Sequence, residues 1–291
     1  MRLAVVGDVH LAFGPKDVAA LDARGYDAIL FVGDLAGYSH RGALKVARYI
    51  AALTTPTLVL PGNHDCMTAQ QMLAEMMGHE PTISLLSGGE EARVAELVSA
   101  LGAARLTGYA RHDFGEVTVI AARPHSFGGP SFAFRPYLSR AFGVPNLDAS
   151  GARLCDLVDE CPTDDVVFFA HNGPTGLGSA RHDIWGCDFK RQGGDFGDAD
   201  LRDAIDHARA RGKRVLAVVA GHMHRQLRGA PSGEGKERVA MVRDAEGTLF
   251  VNAARVPRVF RDPPGAGEVR HHVALHIAGG RADAEDVLVR G

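Results

Sequence analysis

RLAVVGDVH, residues 2–10, joins a short apolar, β-branched run to a glycine, and then to an aspartate and a histidine spaced two apart. The run has the length and composition of a buried strand, and the polar pair falls at its carboxyl end. Outward along the chain the same arrangement recurs. ILFV precedes GDL at 33–35, TLVL precedes Pro61 and GNHD at 62–65, VVFFA precedes HN at 171–172, and VLAVVA precedes GHMH at 221–224. Five parallel-type strands that end in polar residues predict an α/β fold with one convergent site, because open α/β sheets bind ligands along that edge.

Helix-like spacing fills the intervals at 16–24, 41–53, 66–77, 90–101, 151–160 and 198–211, with Asp198 as N-cap and Gly212 as stop of the last. Alternating strands and helices imply a layered α/β fold, read here as one elaborated domain over residues 1–291. Further strands are expected within 105–123, at 238–243, 249–253 and 271–277, enough to build a second sheet against the first. The Gly/Pro/Phe-rich stretch 124–145 and the segment 231–236 read as loops.

Asp8, His10, Asp34, Asn63, His171, His222 and His224 offer oxygen and imidazole nitrogen donors, more than a single ion of ordinary coordination number needs. Two metal ions sharing a carboxylate is the economical reading. Such a pair, roughly 3.5–4 Å apart, clamps the attacking and leaving oxygens of a displacement at phosphorus and lowers the pKa of bound water. Without thiolates in the set, Mn²⁺ is favoured, with Fe or Zn as alternatives. Glycine before Asp8, Asp34, Asn63 and His222 lets the backbone turn tightly against the ions.

The ordered pattern D-x-H, G-D, G-N-H-D, H and G-H-x-H resembles the calcineurin-like metallophosphoesterase superfamily, over residues 2 to about 225. The resemblance implies a sandwich of two mixed β-sheets flanked by helices, and hydrolysis of a phosphate mono- or diester by a metal-bridging hydroxide. By position, it implies that Asp8, His10 and His224 hold the first ion, that Asp34 bridges, and that Asn63, His171 and His222 complete the second. It places His64 beside the ions as the catalytic histidine. The protein-phosphatase branch follows its bridging aspartate with V-D-R-G, whereas Asp34 is followed here by Leu35, Ala36, Gly37 and Tyr38. The acid partner and the phosphate-gripping arginine of that branch are therefore missing. Asp65 is expected to orient His64, and Arg41, Arg225 and His182 are candidate substrate contacts. Alternatives within enzymes are a nuclease or a cyclic-nucleotide phosphodiesterase; outside them, a metal-binding scaffold without turnover.

An excursion rich in Gly and Asp, at about 173–198, resembles that of a bacterial and plastid-type subgroup. It offers His182, Asp183, Trp185, Asp188, Lys190, Arg191 and Asp195 for substrate contact or closure, or simply forms an ordered surface loop anchored by Trp185. A net charge of −3 argues against general nucleic-acid adhesion, so a small phosphorylated partner is expected. No apolar run reaches the length of a membrane span, and a cleaved leader would remove the first strand and Asp8. Four cysteines without a C-x-x-C pair suit a reducing compartment, and the protein reads as soluble and cytoplasmic.

Overall fold

The computed structural model describes residues 1–37, 39–228, 237–261 and 267–291. Its first sheet contains β1 (Arg2–Val6), β2 (Ala28–Phe31), β3 (Thr57–Val59), β4 (Arg105–Leu106), β11 (Val259–Arg261), β12 (Glu268–Ala278) and β13 (Arg281–Arg290). The second contains β5 (Ala110–Phe114), β6 (Val117–Ala121), β7 (Asp165–Phe169), β8 (Arg214–Ala220), β9 (Met241–Arg243) and β10 (Leu249–Asn252). The helices are α1 (Pro15–Asp22), α2 (His40–Ile50), α3 (Ala69–Met77), α4 (Glu80–Leu86), α5 (Glu90–Leu101), α6 (Arg135–Phe142), α7 (Leu147–Asp159) and α8 (Ala199–Ala210).

In the first sheet the order is β11-β12-β1-β2-β3-β4; β1 to β4 run parallel, and β12 is antiparallel to β1, β11 and β13. In the second the order is β5-β6-β7-β8-β10-β9, with β6, β7, β8 and β10 parallel and antiparallel strands at both edges. Successive strand residues point to opposite faces, and both faces are covered, so the central strands read as unbroken apolar runs. Leu3, Val5 and Leu30 meet Val119, Val167, Phe169 and Val219 between the sheets. Ala4, Val6, Ile29 and Phe31 pack on the other side with Leu21, Val46 and Leu97 of α1, α2 and α5. Ile120, Val166, Phe168 and Val218 pack with Leu154 of α7 and Ala204 of α8. This is the expected sandwich of two mixed sheets between helical layers.

Beyond the short α4 and β11, which were not expected, three details differ from the sequence reading. The five motif-bearing strands are divided, with β1, β2 and β3 in one sheet and β7 and β8 in the other, so the polar edge is a junction between sheets. The stretch 124–145, expected as loop, contains α6, which opens with proline in its first turn and stops at Gly143 in the left-handed region. Proline preset for the first turn and glycine past the end was the available signal. β13 was not expected because its residues, RADAEDVLVR, are mostly charged or small and largely exposed. The segment 231–236 lies outside the described residues.

Candidate metal centre

The carboxyl ends of β1, β2 and β3 face those of β7 and β8, and backbone hydrogen bonds stitch the two edges together. His171 Nδ1 donates to the carbonyl of Val32, 2.6 Å away, across the sheet junction. The amide of His222 donates to Asp8 Oδ1 (3.1 Å), and that of His64 to Asp34 Oδ1 (2.9 Å). His10 Nδ1 donates to the Ala36 carbonyl (3.1 Å). These bonds hold the protons of His10 and His171 on Nδ1, so that Nε2 of each ring presents a lone pair to the cleft.

The lone-pair donors gather in two sets. Asp8, His10 and His224 bring ligand atoms within 4.8 Å of one another, with His10 Nε2 and His224 Nε2 3.2 Å apart. His171 Nε2 and His222 Nδ1 each lie 3.0 Å from Asn63 Oδ1. Asp34 stands between them: its Oδ2 is 3.6 Å from His10 Nε2, and its Oδ1 is 3.6 Å from His171 Nε2. Each oxygen of one carboxylate thus faces one set.

Packing leaves no slack at these turns. A Cβ at Gly62 would run into Asp34 Oδ1 and lie 2.6 Å from His171 Cε1, and one at Gly33 (φ +109) would lie 2.8 Å from His171 Nδ1. His10, Leu11, Asp34 and His222 themselves adopt positive φ, at 40, 70, 50 and 66°. Each such residue costs on the order of 1 kcal/mol or more, which the surrounding fold must offset.

The electrostatics favour cations. Burial alone would push Asp8 up, but His224, His171 and His10 outweigh it and hold the carboxyl far below the usual range. Asp34 is likewise buried, yet His171, His64 and His10 overcome both its burial and the charge of Asp8, and its carboxyl is held down. Burial and the nearby His171 press His222 down to about 3, keeping that ring neutral and able to ligate.

Asp65 behaves differently from expectation. Its carboxylate accepts the amides of Gly62 (2.9 Å), Ala36 (3.0 Å) and Leu35 (3.2 Å), so it braces the turn that carries Asp34 rather than orienting His64. The His64 ring is oriented by the Gly37 carbonyl, 2.5 Å from Nδ1, and packs edge-on to His10. Arg225 is also corrected: it is buried, with Nη1 on Asp286 (2.7 Å) and Nε on the Asn252 carbonyl (2.9 Å), committed to structure rather than to a substrate. Arg41 is exposed in the first turn of α2, and His182 is exposed on the excursion.

The excursion is partly core. Trp185 is buried, donates through Nε1 to the Gly221 carbonyl (3.3 Å), and lies flush against Gly173, where a Cβ would enter the ring. Bridges Pro174–Asp198 and Gly186–Asp195 close its base. Two buried arginines that the sequence reading passed over hold it. Arg123 pairs with Asp198 (3.0 Å) and Asp200 (2.8 Å), while Asp198 also takes Ser126 Oγ. Arg238 donates to the carbonyls of Arg181, Asp183 and Gly186, to that of His224 (3.2 Å), and pairs with Asp188 (3.3 Å). Neither arginine belongs to a motif, so only its burial reveals it.

The sequence pattern of calcineurin-like phosphoesterases matches residues 1–226. The chain belongs to the calcineurin-like phosphoesterase family. A solved structure 14% identical, covering 98% of each chain, shares the fold at a TM-score of 0.55. The metallophosphoesterase from Sphaerobacter thermophilus, 15% identical, aligns over 99% of this chain and 88% of its own at a TM-score of 0.33. No curated protein sequence matches. Membership in the phosphoesterase family implies a hydrolase that acts on phosphoesters with divalent metals. The residues present fit such ions: Asp8 Oδ2 is buried and accepts no hydrogen bond, with His224 Nε2 3.4 Å away. A buried carboxylate oxygen left in that state is costly unless a cation completes it.

Proposed function

We propose that the protein hydrolyses a small phosphate mono- or diester with two divalent ions, Mn²⁺ before Fe or Zn. The observation that carries this reading is Asp34, whose two oxygens face separate donor sets. Asp8, His10 and His224 would hold one ion, Asn63, His171 and His222 the other, with Asp34 shared. When bound, the ions supply charge opposite the phosphoryl oxygens and a water of lowered pKa as nucleophile. The chain's own part is positioning and proton transfer. Val32 and Ala36 carbonyls hold the His171 and His10 rings in the ligating tautomer. His64, set by Gly37, gives a proton to the departing alkoxide. Arg41 and His182 remain proposed substrate contacts. Buried, free Cys66, Cys161 and Cys187 support the cytoplasmic reading.

The test is hydrolysis of a chromogenic diester and the corresponding monoester by metal-stripped protein refilled with Mn²⁺, Fe²⁺ or Zn²⁺, beside Asp34→Asn. Activity that returns with metal and is absent in the variant is expected. Tight metal binding with no turnover of either ester would return the balance to the scaffold reading.

A further inference from the structure

The excursion carries a cavity of about 520 Å³, lined among others by Arg181, Asp188, Phe189, Lys190 and Arg191. The Arg228 guanidinium lies beside it, 5.9 Å from the Phe189 ring centre. Phe189 is 45% exposed, an aromatic surface left open in a loop otherwise pinned to the core.

The charge balance of this cavity is unusual for the molecule. Arg181, Lys190, Arg191 and Arg228 form no ion pair with any carboxylate among the described residues. The one acid in the lining, Asp188, is spent on Arg238 (3.3 Å) and on the amide of Arg228 (2.8 Å). A second cavity, of about 440 Å³, is also rich in cations, including Arg209, Lys213, Arg214, Arg243 and Arg281. There each cation is answered by a carboxylate: Asp244, Asp164, Asp165 and, for the last two, Asp283. Three lining cations and the neighbouring Arg228, none paired with a carboxylate among the described residues, on a chain of net charge −3, mark the excursion cavity as an anion-binding surface.

It is also tied to the metal centre. The Arg238 guanidinium bonds at once the carbonyls of Arg181, Asp183 and Gly186 and that of His224. Arg181 reaches back to the carbonyl of Arg228, four residues after His224. The wall of the cavity and the strand end that presents His224 are held by one side chain.

We infer that this cavity takes a second anionic group, carried on the organic part of the ester, so that preferred substrates bear a carboxylate or a further phosphate away from the scissile one. The inference rests on the phosphoesterase reading for its catalytic half only. A guanidinium or ammonium group recognises either anion through charge-assisted hydrogen bonds, and several acting together make binding depend steeply on salt.

Two measurements test it on the full chain. First, metal-stripped protein is titrated with inorganic phosphate by calorimetry at low ionic strength. The variants separate the cavity from the metal centre, so saturable binding that depends on Lys190 and Arg191 and not on Asp34 reports the cavity. Binding is expected to persist in Asp34→Asn and to weaken at least tenfold in Lys190→Ala/Arg191→Ala, both of which replace exposed side chains. No binding in the unaltered protein, or undiminished binding in the double variant, overturns the inference. Second, the Mn²⁺-loaded enzyme is assayed on 3-carboxyphenyl phosphate and phenyl phosphate. The ratio of their kcat/KM is expected to fall at least fivefold in the double variant, and an unchanged ratio overturns the inference. If neither ester turns over while phosphate binding follows expectation, the phosphoesterase reading fails and the anion site stands.

Discussion

A methyl group at Gly62 would meet the Asp34 carboxylate and the His171 ring, one from each side of the sheet junction. Gly62→Ala is therefore expected to displace the shared carboxylate and lower turnover about 100-fold, the scale of an ångström-sized misplacement of catalytic groups. Metal content by plasma emission should fall with it; full occupancy and full activity would show that the turn can relax. The seven side chains that gather at the sheet junction were legible as a set because metal chemistry admits few side chains, and because each stands in a short motif after an apolar run. Asp65 and Arg225 were misread for a common reason. Their roles depend on partners found only in space, the Leu35 and Ala36 amides and the distant Asp286.

At the level of elements, the excursion is fixed by contacts that run perpendicular to the sequence. Arg238 binds three of its carbonyls, and Asp188, while holding the backbone of His224. Arg238→Met keeps the volume but strands Asp188 and those carbonyls, so a loss of about 3–5 kcal/mol is expected, as when one partner of a buried pair is removed. Denaturant melts would measure it, and the emission of Trp185, the sole tryptophan, should shift as the Gly221 contact loosens. A variant as stable as the parent would remove Arg238 from this role. On β12, His272 is pressed from 6.5 to about 3 by burial and by the charges of Arg258 and Arg24, and it accepts the Tyr26 hydroxyl (2.8 Å). The unfolded chain protonates this ring below about 6.5, whereas the folded chain resists until about 3. Between those values the unfolded state binds more protons, so stability falls on acidification across that window. His272→Gln, which keeps an acceptor, should flatten the melting temperature against pH between 6.5 and 4; coincident profiles would exclude the residue. Strand and helix periods made most of these elements readable, but β13 was hidden by its solvent-facing charges, and α6 by the glycines and prolines around it.

For the molecule as a whole, both sheets contribute to each donor set, so ions that bind the fold and not the unfolded chain must stabilise both sheets together. At a hundredfold excess over the dissociation constant, the gain is about 2.7 kcal/mol. For a chain of this size that corresponds to a rise of about 4–5 °C in melting temperature on adding Mn²⁺. Asp34→Asn should lose most of the rise, and an equal rise in both would mean that the ion binds elsewhere. The layered architecture followed from the alternation of strands and helices; the division of the motif strands between two sheets did not, because local pattern carries no record of which strands pair. That division has a consequence for how the protein is made. The first donor, Asp8, leaves the ribosome more than 200 residues before His224, and β1 gains its β12 neighbour only when residues 273–276 have emerged. His224 and the β12 residues that flank β1 must therefore be synthesised before the centre can close, so metal loading follows their emergence, after a long interval in which the early aspartates and histidines are open to whatever ion the cell offers.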